Sequence, residues 1–303
     1  MRPVVQYIYQ YFRTIDKRLL TIVTILTAVL VFLNYHYGIS ARIEKNNSAA
    51  VKLTSWYGVF GVAFGLPWLS WFLANRRTIN LPPSFIYLLL LAPALFSIKM
   101  CLSFPFTFSG NATENSYWEH VTYWPLLCII ILSALFITWK RAGQPAVFYG
   151  FRTSGISWTP YWLMLLIMVP LVALASTQPD FLAVYPKLQS VAGQELTLPL
   201  WKKLLFELSY GSDFLSIETF FRGFLVLGFM KYAGKDVILP MACFYCTIHF
   251  GKPLGECISS YFGGMVLGIV VYNTRSIWGG LMVHLGIAWL MEAGGYWGSV
   301  FFR

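Results

Sequence analysis

Charge is what this chain has least of. Only 11% of its 303 residues are Asp, Glu, Lys or Arg, against 57% hydrophobic. A soluble globular domain carries about 25% charge, so that class is excluded and the chain reads as a polytopic membrane protein. Acidic residues are especially scarce, 12 against 22 Lys and Arg, for a formal net charge of +10. In a soluble domain that excess would suggest nucleic acid. Here the basic residues fall in short clusters between apolar runs, a pattern that orients spans, and no nucleic-acid partner is expected. The five cysteines follow no regular spacing and lie in or beside apolar segments, which excludes a disulfide framework. Cys243 and Cys246 form a C-x-x-C, readable as a redox or metal pair or as two small packing residues of an apolar helix. No internal repeat is evident, which weakens a transporter built from duplicated halves. The first apolar run is long enough to span, so no cleavable signal peptide is expected.

Long apolar runs are what the chain does have. They cover approximately 19–37, 56–74, 83–103, 121–139, 159–176, 204–230, 237–250, 254–272 and 277–291. At a rise of 1.5 Å per residue, such runs predict an all-α, polytopic transmembrane helical bundle of about eight or nine spans. Arg2, Arg13, Lys17 and Arg18 precede the first run, and Asn75-Arg76-Arg77 closes the second, which places the N-terminus in the cytoplasm. Lys99 lies near the end of its run and is expected to snorkel to the interface. The stretch 178–203 is the longest non-apolar one and is expected to be a loop on the membrane surface, while Glu292 and Arg303 read as interfacial charges.

Within the sixth run, Ser216-Ile217-Glu218-Thr219-Phe220-Phe221-Arg222-Gly223 sets a carboxylate and a guanidinium four residues apart on one helical face. A charge at the bilayer centre costs roughly 2.5 to 3.5 kcal/mol on insertion scales, so such a pair marks a protein-lined site. The last hundred residues hold most of the intramembrane polar groups, Asp213, Glu218, Arg222, His249, Glu256, His284 and Glu292. This divides the chain into N-terminal helices and loops, 1–203, and a functional part, 204–303. Glu218, His249 and His284 fall on three separate spans that a bundle core can bring together. A carboxylate and a neutral imidazole can activate water against a carbonyl, with the second imidazole donating to the oxyanion. Alternatively, Glu218, His249 and His284 can ligate zinc with an open fourth position. Composition does not choose between no cofactor and zinc, and each His also has a bland reading as a local packing hydrogen bond.

Ile217-Glu218-x-x-x-Arg222-Gly223, Tyr245-x-x-x-His249 and His284-x-x-x-Ala288, with Tyr272-Asn273-Thr274-Arg275-Ser276-Ile277-Trp278-Gly279 before the last, resemble the three ordered motifs of the CPBP family. These are the CAAX-prenyl endopeptidases and bacteriocin-processing or immunity proteins, which are intramembrane peptidases. The resemblance implies a multi-pass protein of a bacterial inner membrane that acts on a membrane-associated peptide or protein. It implies Glu218, His249, His284 and Arg222 as the catalytic set: Glu218 as acid, base or electrostatic residue, His249 on the water, His284 on the oxyanion, and Arg222 orienting Glu218. The chain departs from the pattern twice. Ile217 stands where the family has its first Glu, and Ala288 where it has Asn. Asp213, one turn before Ile217, and Glu256, after the Gly251-Lys252-Pro253 turn, are substitute carboxylates by position. Their bland readings are a surface pair with Lys202 or Lys203 for Asp213 and a helix start for Glu256. The resulting expectation is an intramembrane peptidase. The alternatives are a catalytically silent scaffold or immunity protein that binds a membrane partner, and a proton-coupled transporter.

Overall fold

The computed structural model describes residues 2–75, 81–141, 145–192 and 198–301. Arg76, Arg77 and Arg303, read above as topological or interfacial charges, lie outside them. The fold is a helical membrane bundle with no strand among the described residues. Its helices are α1 (Arg2–Thr14), α2 (Lys17–Tyr37), α3 (Ile39–Glu44), α4 (Ala49–Asn75), α5 (Pro83–Cys101), α6 (Ala112–Arg141), α7 (Thr159–Ala175), α8 (Pro179–Leu182), α9 (Lys187–Ala192), α10 (Leu200–Glu218), α11 (Met230–Ala233), α12 (Ile238–Thr247), α13 (Leu254–Thr274) and α14 (Trp278–Phe301).

Five of these, α2, α4, α5, α6 and α13, are long and apolar enough to cross a bilayer. Local chemistry sets their ends. Asp16 accepts the N–H groups of Arg18 and Leu19 at 2.8 and 3.4 Å to start α2, and Gly38 stops it at φ +64°. Asn111 accepts from Thr113 and Glu114 at 3.0 and 3.1 Å, which starts α6 two turns before its apolar run.

The remaining expected spans take other forms. The run 237–250 contains only the ten residues of α12 as regular helix, a rise of about 15 Å against a hydrocarbon layer of about 30 Å. It survives as a half-length helix because α4, α13 and α2 pack around it, which keeps its ends away from lipid. The run 204–230 becomes α10 followed, from Thr219 to Gly228, by a wider π-type coil. Such irregularities recur at functional sites, and this one begins directly after Glu218. It is also where another segment closes in. A Cβ on Gly223 would lie 2.7 Å from both Cβ and carbonyl O of Tyr149, so only glycine lets that segment pack here.

Two regions outside the apolar runs also pack on the bundle. The first residues form α1, an amphipathic helix that buries Val4 and Tyr11, leaves Val5 and Tyr9 exposed, and rests on α13. Of the expected surface loop 178–203, residues 178–192 turn inward instead, with Phe181, Leu182, Tyr185 and Leu188 buried and α9 packed on α6. Burial of those four apolar side chains outweighs the polarity of their neighbours. Glu292 is correspondingly buried at 2% exposure and accepts the Lys187 backbone N–H at 2.8 Å, so it is no interfacial charge.

The centre of the bundle is aromatic. Phe60, Phe96, Phe220, Phe221 and Phe244 are all buried, with ring centroids 5.1 Å apart for Phe96 and Phe221 and 5.3 Å for Phe221 and Phe244. Lipid is as apolar as these rings, so close packing and ring geometry, rather than escape from water, hold the helices together. Cys243 and Cys246 are both buried in this core, and the thiol beside Cys246 is Cys257, at 3.8 Å. All five cysteines are free.

Candidate active site

Glu218 ends the regular turns of α10 and Arg222 sits in the first wide turn, both with 0% side-chain exposure. Arg222 Nη1 lies 3.0 Å from Glu218 Oε1. This is a charge contact without hydrogen-bond alignment, and Glu218 Oε2 and the three guanidinium nitrogens have no hydrogen-bond partner among the described residues. Desolvating such a pair costs several kcal/mol per ion before attraction offsets it, so its presence at the helix irregularity points to function rather than to stability.

His284 of α14 approaches the same oxygen, with Nδ1 2.8 Å from Glu218 Oε1. An ionised carboxylate only accepts, which assigns the proton to Nδ1 and leaves Nε2 to accept the Tyr245 hydroxyl at 3.0 Å. Gly280, one turn before His284, makes the approach possible, because a Cβ there would sit 2.9 Å from Glu218 Oε2. Tyr245 comes from α12 and links the rest. Arg222 Cζ stands 4.1 Å from its ring centroid, and its edge meets the imidazoles of His284 and His249 at 5.8 and 4.8 Å.

His249 lies in the turn after α12, with Nδ1 3.0 Å from the Tyr245 carbonyl oxygen. A carbonyl only accepts, so Nδ1 carries the proton and Nε2 presents a lone pair. His249 is half-buried and His284 keeps 14% of its side chain exposed, whereas Glu218 has no accessible surface. The imidazoles therefore keep accessible surface that the carboxylate lacks.

The substitute carboxylates point elsewhere. Asp213 is held by Lys99 Nζ at 2.7 and 2.9 Å and by the Ser216 hydroxyl at 2.9 Å. Lys99 is buried at 6% exposure, so it does not snorkel, and Asp213 pairs with it rather than with Lys202 or Lys203. Glu256, in the first turn of α13, accepts the Tyr185 hydroxyl at 3.1 Å and pairs with Lys252 at 3.5 Å. Lys252 also donates to the Tyr185 oxygen at 2.8 Å. Beside them Lys187, outside the spans, is pushed down to about 7 by burial and by the Lys252 charge. Ile217 packs against the aromatic core.

Zinc does not suit this arrangement. Glu218 Oε1 is shared between a cation and an imidazole N–H, and His284 Nε2 is taken by Tyr245. No group of three His, Cys, Asp or Glu side chains among the described residues is placed to hold a metal ion.

The end of α10 with its wide coil, α12 with the turn after it, and α14 thus bring Glu218, Arg222, Tyr245, His249 and His284 together. Residues 209–290 match the family model for type II CAAX prenyl endopeptidases, Rce1-like. That is a protease family, and the match is consistent with a CPBP family member, as the motifs indicated. The Rce1-like segment contains Glu218, Arg222, Tyr245, His249 and His284 together with both departures, Ile217 and Ala288. No curated protein and no solved structure matches the chain. Sequence reasoning named Tyr245 in the second motif without giving it a role, although it links the two imidazoles, and passed over Gly280. Tyr245 was within reach, since it lies one turn before His249 on the same face; Gly280 shows its meaning only once α14 is docked on α10.

Proposed function

We propose that this protein is an intramembrane endopeptidase that cleaves a membrane-associated peptide or protein, with His249 as the base that activates water. The single observation that carries the reading is the chain Glu218–His284–Tyr245, hydrogen-bonded end to end beside a His249 whose Nε2 lone pair has no partner among the described residues. Water gives its proton to His249 Nε2 while its oxygen attacks the scissile carbonyl. The imidazolium then returns that proton to the leaving amine as the C–N bond breaks. Glu218, lacking accessible surface, acts through His284 by fixing its orientation, and Arg222 holds Glu218 in place from the other side. In this scheme neither Asp213 nor Glu256 replaces the carboxylate missing at Ile217. The bilayer supplies the setting, and an N-terminus in the cytoplasm of a bacterial inner membrane is the topology we adopt; reporter fusions at the two termini test it.

The experiment uses the purified protein in liposomes with internally quenched peptides ending in Cys-aliphatic-aliphatic-X, with and without a farnesyl thioether on the cysteine. Cleavage by wild type is expected, with losses of about 10²- to 10⁴-fold for His249→Ala and a comparable fall for Glu218→Gln. The farnesyl arm reports whether the prenyl group is recognised. Unchanged cleavage in both variants would sink the assignment. A binding role without catalysis is favoured by Ile217 and Ala288, which withhold two polar groups. It predicts that wild type and Glu218→Gln bind a membrane partner equally well and that neither cleaves it.

A further inference from the structure

We propose that the Tyr245 hydroxyl is the donor that holds the oxyanion of the tetrahedral intermediate, which makes Tyr245 a catalytic residue of the site. The inference rests on the peptidase reading and names a group that reading leaves open. A tetrahedral oxyanion needs donors about 2.7–3.1 Å away, and the donors around the two imidazoles are few. Arg222 is fully buried on the face of the Tyr245 ring and faces Glu218. His284 Nε2 accepts in the tautomer that Glu218 imposes. Ala288, one turn beyond His284, offers a methyl group. The Thr247 and Ser260 hydroxyls are turned back on carbonyls of their own helices, Phe244 at 2.7 Å and Cys257 at 2.7 Å. The backbone N–H groups of His249, Phe250 and Lys252 are spent within the turn.

Of these side-chain donors the Tyr245 O–H remains. Its partner is an imidazole nitrogen, from which it can turn without leaving a strong charge unmet. The guanidinium 4.1 Å from its ring centroid holds the ring, and so the hydroxyl, in place. As the water oxygen bonds to the carbonyl carbon and the carbonyl electron pair moves onto oxygen, the Tyr245 O–H turns from His284 Nε2 to that oxygen. No proton is transferred at this atom. The same hydrogen bond returns to His284 when the carbonyl reforms and the amine leaves.

The test is Tyr245→Phe, which keeps the ring and its contact with Arg222 and removes only the hydroxyl. With the quenched peptide, kcat is expected to fall about 10²- to 10³-fold with KM within a few-fold of wild type. Two non-substrate probes separate this from a packing role. A peptide aldehyde, whose hydrate mimics the tetrahedral intermediate, should lose affinity by a factor close to the fall in kcat. The reduced-amide peptide of the same sequence, which has no carbonyl at the cleavage point, should bind as it does to wild type. Wild-type kcat in Tyr245→Phe, or equal losses for both probes, would overturn the inference while losses in Glu218→Gln and His249→Ala leave the peptidase reading standing. Absence of cleavage by wild type would remove both.

Discussion

Replacing Lys99 by Met tests whether Asp213 belongs to the fold or to the chemistry. Lys99 Nζ lies 2.7 and 2.9 Å from the two Asp213 oxygens, with side-chain exposures of 7% and 13%. Lys99→Met removes the cation and leaves a buried carboxylate with only the Ser216 hydroxyl. Breaking one side of a buried pair costs about 3–5 kcal/mol, which at 1.36 kcal/mol per decade is a roughly 10²- to 10⁴-fold loss in the folding equilibrium. Asp213→Leu alone leaves an unpaired lysine and should cost a similar amount. The double variant restores charge balance with apolar groups and should return to within about 1–2 kcal/mol of wild type. The pair's coupling is therefore expected at roughly 4 kcal/mol or more. Thermal and denaturant unfolding of the detergent-solubilised protein gives all four corners of the cycle. The folded double variant should cleave within a few-fold of wild type. A Lys99→Met protein as stable as wild type would refute the energetic argument, and a folded but inactive double variant would restore Asp213 as a candidate base.

Two further outcomes follow from the geometry. Gly280→Ala places a methyl 2.9 Å from Glu218 Oε2 and must shift either α14 or the carboxylate; a displacement of about 1 Å in such a site costs on the order of 10²-fold in kcat, measurable with the same peptide. Lys187, held at about 7 by burial and by Lys252 against the opposing pull of Glu256 and Glu292, binds fewer protons folded than unfolded. Its folded value lies below its unfolded one, so stability rises with pH from about 7 to about 10.5 and is lower below that window. Lys187→Met should flatten this rise, as read from unfolding midpoints across the range.

Much of the site was legible because charge in lipid is conspicuous. Glu218 and Arg222 stand out in an apolar run, and the two histidines lie on other runs, so convergence was the economical expectation. The same reasoning misjudged Lys99, Glu292 and the stretch 178–203. Each was read from its own segment as interfacial, and each is met by another segment: Lys99 by Asp213 of α10, Glu292 by the Lys187 backbone, and 178–192 by the bundle core. Run length misled at α12 as well, because apolar content extends beyond the ten residues that stay helical.

Taken alone, the amino-acid sequence determined the solvent and the reagents. Its hydropathy put the chain in a bilayer as helices, and its rare polar residues in the last hundred positions set out which side chains could do chemistry. Tertiary structure decided how those reagents are wired. It enclosed Glu218 so that, among the described residues, its polar partners are His284 and Arg222, turned Asp213 to Lys99 and Glu256 to Tyr185 and Lys252, and set Tyr245 between two imidazoles. The physical reason is that hydropathy acts residue by residue, whereas hydrogen bonds and ion pairs require two groups within about 3 Å of each other. Which groups meet depends on helices packed from distant parts of the chain.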